Sequence, residues 1–166
     1  MDQRIGNVVS GNLVIDLEED IMNQNVITAL EEQVGCYRRL SRLADVQHEH
    51  VRQSQTEALL EVLQSRQVVL DQLKELENVI APAKKRWSEF VDEIGEQRDH
   101  AEQLLAETRR LLERITASDR EDAMVLQQRK LNLGKQINQA AAAKQINRNY
   151  AAAAYGQRSS TMDLSR

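Results

Sequence analysis

The chain has 166 residues, enough for one domain, but only 3% of them are aromatic and the mean hydropathy is -0.58, which argues against a large compact core. Charged residues make up 29% and there is a single proline, a composition that belongs to long helices and coiled coils. The net charge of -4 is unevenly spread: residues 1–126 hold 15 Lys and Arg against 25 Asp and Glu, a net -10, whereas residues 127–166 hold 7 against 1, a net +6. The acidic balance speaks against nucleic-acid binding, and the basic cluster Lys84-Lys85-Arg86 and the basic tail are not interleaved with stacking aromatics apart from Tyr150 and Tyr155. The apolar runs are a few residues long, far short of the roughly 18 to 20 that span a bilayer, so no membrane insertion is expected. The single Cys36 forms no internal disulfide, and the start of the chain lacks a secretory signal pattern; the expected compartment is the cytoplasm.

Residues 1–22 contain Gly6, Asn7, Gly11 and Asn12 around two short apolar patches, followed by the acidic run from Asp16 to Asp20. A flexible extension is expected there. Asn23 or Asn25 then caps a first helix, over about 25–53, in which Ile27, Leu30, Val34, Tyr37, Ala44 and Val51 follow steps of three and four. Ser41 and His48 are polar members of that line, and Val26 and Leu40 broaden it. Gly35, in mid-helix, is a point where a neighbour can approach closely.

The second helix, over about 55–80, has the clearest seam: Leu59, Val62, Arg66, Val69, Leu73, Leu76 and Ile80. Leu63 and Leu70 widen it into a face broad enough for two neighbouring helices. Ser54 and Glu57 have the spacing of a capping box at its start. Pro82 is expected to close its other end, because it lacks an N–H and biases Ala81 away from helix.

A third, extended helix over about 83–154 carries Trp87, Phe90, Val91, Ile94, Ala101, Leu104, Leu105, Leu111, Leu112 and Ile115 on one side. Trp87 and Phe90 stand where they lock the turn after Pro82. Beyond Ile115 the inward sites fall to Asp119 and Asp122, and Ser118 with Glu121 repeats the capping-box spacing; a continuous or slightly kinked helix is favoured over a break. Leu126, Leu133, Ile137 and Ala140 resume a sparse stripe with Lys130 and Lys144 among its sites, and Ile146 lies nearby. The Ala-rich runs 140–143 and 151–154 favour helix but offer little to bury. Residues 157–166 have the polarity of a disordered tail.

His48 and His50 point to different sides of a helix, His100 is remote and no phosphate-cradling glycine loop or nucleophile motif is present. Neither an enzyme nor a cofactor or metal site is expected. The fold class read from this pattern is all-α, an antiparallel bundle or coiled coil of three long helices with an extended third helix, the helical domain covering 23–156.

The order of parts, the stretch EALLEVLQSRQVVLDQLKELENVI and the Tyr155-Gly156 pair near the end resemble the FlgN family of flagellar type III export chaperones. The resemblance covers roughly residues 25–156. It implies a small cytoplasmic helical protein that binds hook-filament junction (hook-associated) proteins before secretion and delivers them to the export gate. The N-terminal extension and the Ala-rich end of the third helix depart from a short member of that family.

In that reading the under-filled segment supplies the cargo contact, through Leu126, Leu133, Ile137, Ala140 and Ile146, or else those residues finish the bundle. Tyr150, Tyr155 and Gly156 fall in the region implied to dock on the export gate, Gly156 alternatively being a helix stop. A homodimer is possible, since seam residues serve either kind of packing. The rival reading is a non-enzymatic coiled-coil scaffold or tether unrelated to export.

Overall fold

A computed structural model describes the backbone of residues 6–162 and the side chains of residues 11–155. Residues 1–5 of the expected extension and 163–166 of the expected tail lie outside the described residues. Among the described residues the fold is all-α: α1 (Gly6–Gln53), α2 (Thr56–Lys85), α3 (Trp87–Glu93), a 3-10 turn (Gly95–Gln97) and α4 (Arg98–Met162). Two compact units are present, Met1–Asp122 and Ala123–Arg166.

The first unit contains the core. Around Phe90, which is fully buried, gather Val26, Ile27 and Leu30 of α1, Ile80 and Ala83 of α2, Val91 of α3 and Ala101 of α4. Trp87 packs against this cluster and tilts over Phe90 with ring centroids 5.3 Å apart. A second cluster joins Cys36, Leu40 and Ala44 to Val69 and Leu73, and to Ile115 of α4. Of the inward lines expected of α1 and α2, Ile27, Leu30, Val34, Ser41, Ala44, Val51, Val62, Val69, Leu73 and Ile80 are buried, whereas Tyr37, His48, Leu59, Arg66 and Leu76 are only partly so. Side-chain pairs run in opposite senses along α1 and α2 (Gln33 with Glu77, Arg39 with Gln72, Gln47 with Arg66). Along α1 and α4 they run in the same sense (Glu31 with His100, Asp45 with Arg114, His48 with Asp122).

Several boundaries differ from the sequence expectation, each for a local reason. Helix α1 begins at Gly6 rather than near Asn23. Ser54, expected to open a capping box at the start of α2, instead ends α1: it adopts a left-handed φ of 59°, its N–H donates to Val51 O (3.3 Å) and that of Gln55 to His50 O (3.0 Å). That is the Schellman arrangement for satisfying the last carbonyls of a helix. The residue preceding α2 is Gln55, with no side-chain cap.

Helix α2 does not stop at Pro82 but runs through it to Lys85. Burial of Ile80 and Ala83 on either side of the proline outweighs the one backbone bond that it forgoes. The third helix divides at Gly95, whose φ of +55° only glycine adopts without strain. From Arg98 onward α4 is continuous, passing Ser118 and Gly156 without a break, so Gly156 is not a helix stop. Gly35 is not a point of close approach, since nothing stands within 4 Å of where its Cβ would be. Leu63 and Leu70 stay 45% and 44% exposed, so the chain itself does not cover the widened flank of α2.

Candidate functional site

Two features stand out: a polar layer inside the first unit and an uncovered apolar helix in the second. The polar layer forms where the inward positions of the helices are occupied by Gln47, His48, Arg66, Asp119 and Asp122. Arg66 grips Asp119 with two parallel bonds, Nη1 to Oδ1 at 2.6 Å and Nη2 to Oδ2 at 2.7 Å, and donates from Nη1 to Gln47 Oε1 at 2.6 Å. Gln47 Nε2 donates to Asp122 Oδ2 at 2.9 Å, and His48 Nδ1 lies 2.6 Å from Asp122 Oδ1. Asp122 is 1% exposed, so a carboxylate with two partners replaces a core side chain. Such a closed network tolerates burial because each member is satisfied. It fixes which residues of three helices stand level, which is a positioning role.

Nearer Trp87, a groove of about 610 Å³ is lined by Tyr37, Lys84, Leu105, Arg109 and Leu112, with Gln33 and Thr108 at its base. Burial and the nearby Glu77 carboxylate raise the Tyr37 hydroxyl above its ordinary pKa. Leu112, expected inside, is 45% exposed at this groove. No group of three or more His, Cys, Asp or Glu able to hold a metal occurs among the described residues. Nor is any described helix long and apolar enough to cross a membrane.

The second unit is the remainder of α4. Every candidate contact residue there is uncovered: Leu126 is 41% exposed, Leu133 57%, Ile137 59%, Ile146 53%, and Tyr150 and Tyr155 73% each. Ala140 is exposed as well. Because the segment is one unbroken helix, its 3.6-residue turn assigns these side chains to faces. Leu126, Leu133, Ile137 and Ala140 fall within an arc of about 60°, as the stripe requires. Ile146 does not join them. It stands nine residues from Ile137, about 180° round the helix.

Tyr155, five full turns beyond Ile137, returns to the Leu133 and Ile137 side, whereas Tyr150 is close to Ile146 in angle. The set read from sequence as one line is thus two: Leu126, Leu133, Ile137, Ala140 and Tyr155 on one side, Ile146 and Tyr150 on the other. Met124 and Leu131, 73% and 51% exposed, belong with Ile146 and had no place in the sequence reading. Their angle to Ile146 was the available signal, hidden by their separation along the chain.

The first turns of α1 are a further uncovered apolar surface. Leu13, Val14, Leu17 and Ile21 are each more than half exposed on a helical segment, where a flexible extension was expected. The three-four step Val14, Leu17, Ile21 was legible, but Gly6, Gly11 and two asparagines around it argued for coil. No protein-family model matches the chain, and comparison with curated proteins and with solved structures finds no match.

Proposed function

We propose that the chain is a cytosolic, non-enzymatic export chaperone of the FlgN type, an antiparallel bundle of three long helices that binds hook-associated junction proteins before secretion and delivers them to the type III export gate. The observation that carries this reading is the uncovered line Leu126, Leu133, Ile137 and Ala140 on the second unit. An amphipathic helix of an unassembled subunit needs its apolar stripe covered, and an apolar line at three-four spacing on an unbroken helix is the complement for it. Ala140 presents only a methyl group, so a partner helix is able to approach closely there. Tyr155 extends the same face towards the part of the chain assigned to the export gate.

The test is a binding assay of the full chain against the terminal segments of hook-associated proteins. Leu133→Asp with Ile137→Asp abolishes binding, while Ile146→Asp, on the opposite side, leaves most of it. Absence of binding by the unaltered chain sinks the proposal and favours a scaffold or tether. Loss on Ile146→Asp with retention on the double variant assigns the cargo to the other face.

A further inference from the structure

We propose that the groove beside Trp87 binds a short extended peptide, one backbone amide of which meets Gln33 and Thr108 while an apolar side chain lies on Trp87 and Leu105 and a carboxylate pairs with Arg109. The groove belongs wholly to the first unit and measures about 610 Å³, within the size range of ligand sites. Its walls come from Gln33 and Tyr37 of α1, Lys84 of α2, Trp87 of α3, and Leu105 and Arg109 of α4. Two of its lining residues carry an unmet need. Gln33 Oε1 and Thr108 Oγ1 are buried, and neither has a hydrogen-bond partner among the described residues. For Gln33 the orientation is fixed, because its Nε2 donates to Glu77 Oε2 at 3.1 Å, a carboxylate oxygen that Lys84 Nζ also holds at 3.0 Å. The amide oxygen is therefore the free end, and it can only accept.

A buried oxygen without a partner weakens a fold, and native structures pair nearly all such groups. Two at one groove ask for a ligand that brings a donor to Gln33 and an acceptor to the Thr108 hydroxyl. A peptide unit carries one of each. The rest of the lining says what flanks that unit. Trp87 and Leu105, both half-buried, and the exposed Leu112 offer an apolar wall to a side chain. Of the three charged residues in the lining, Lys84 is paired with Glu77 and Glu102 with Arg98, whereas Arg109 has no ion-pair partner among the described residues. A guanidinium left over at an apolar groove selects a carboxylate, and main-chain bonds add affinity that does not depend on sequence. In the free chain both oxygens are closed off from solvent, so the peptide enters by displacing exposed lining side chains, which change rotamer within nanoseconds.

This site does not depend on the arm that the chaperone reading uses. Trp87 is the single tryptophan of the chain, so its fluorescence reports occupancy of the groove. Titration of the full chain with acetyl-Leu-Asp-Leu-amide is expected to give a saturable change, and the same peptide methylated at every backbone nitrogen, which has no donor for Gln33, is expected to give none. Thr108→Val, which keeps the shape of threonine, raises the dissociation constant about fivefold or more. It also raises the urea midpoint of the free chain, because an unpaired buried hydroxyl is gone, whereas a hydroxyl that held the fold together would lower it on removal. Arg109→Gln, at an exposed position, raises the dissociation constant about threefold at low salt and less at high salt. Leu133→Asp with Ile137→Asp leaves the titration unchanged. Absence of a saturable response at millimolar peptide overturns the proposal. So does equal binding by the methylated peptide, a lowered midpoint or unaltered affinity for Thr108→Val, or loss of the response in the arm variant.

Discussion

Ser54 holds a left-handed backbone conformation at the end of α1, a position where glycine is the usual residue because it has no Cβ to clash with the following carbonyl. Ser54→Gly is therefore expected to stabilise the protein by about 1 kcal/mol, measured as a higher denaturation midpoint. A fall would mean that the serine side chain contributes more than its backbone costs. In the polar layer, Asp122→Ala takes the acceptor from His48 and leaves Gln47 Nε2 only its longer bond to Asp119 Oδ1 (3.3 Å), beside a buried void, and about 2 kcal/mol of stability is expected to be lost in urea unfolding. Asp122→Asn loses less, because its carbonyl still accepts one bond. The inward placing of Ser41, His48, Arg66, Asp119 and Asp122 was readable from three-four spacing. Their pairing was not, since it depends on how three helices are set level with one another. Tyr37 gives the pH dependence: with its folded pKa raised, the unfolded chain ionises first, so its contribution is intact below about pH 10 and is lost as pH rises towards the folded value. Alkaline unfolding curves of the protein and of Tyr37→Phe are expected to diverge above that pH, the variant losing less.

At the scale of elements, the passage of α2 through Pro82 shows tertiary packing overriding a local signal. Proline forgoes the bond to the carbonyl of Asn78 and crowds it, yet Ile80 is fully buried and Ala83 nearly so within the Phe90 cluster. Pro82→Ala restores the bond and relieves the crowding, and its larger loss of unfolded-state entropy offsets part of the gain. A net stabilisation of about 1 kcal/mol is expected, with the core spectroscopically unchanged at Trp87. A destabilised variant would show that the proline shapes the turn into α3. The helical lines themselves were legible: Ile27, Leu30, Val34, Leu40, Ala44 and Val51 are all buried, as the three-four spacing required. What spacing alone missed was Gly95, because a positive φ is imposed by the return of the chain onto its own core and leaves no mark on periodicity. The same limit applies to the exposed flank of Leu63 and Leu70. Spacing makes a face apolar, but whether a neighbour covers it depends on where the next helix lies.

At the scale of the whole molecule, two units that share one helix rest on different physics. In the first, residues of α1, α2, α3 and α4 remove each other from water around Phe90 and Leu73, so unfolding there exposes apolar surface cooperatively. In the second, the helix buries almost nothing and rests on backbone bonds and the propensity of alanine, which sustain a marginal helix that frays with temperature. Hydrogen exchange is accordingly expected to be fast across residues 126–155 and slow at Leu30, Ile80 and Ile115, with the division near Asp122. Heating is expected to give a gradual loss of ellipticity from the arm before one sharp transition of the core. Ending the chain after Asp122 removes the gradual part and keeps the sharp one within a few degrees, provided the second unit contributes no core contact. Adding a helical partner that covers Leu133 and Ile137 slows exchange across the arm, because binding supplies the burial that the free helix lacks. If the arm exchanges as slowly as Ile80 in the isolated monomer, its apolar residues are already covered, and a surface held open for a partner is the wrong description of this chain.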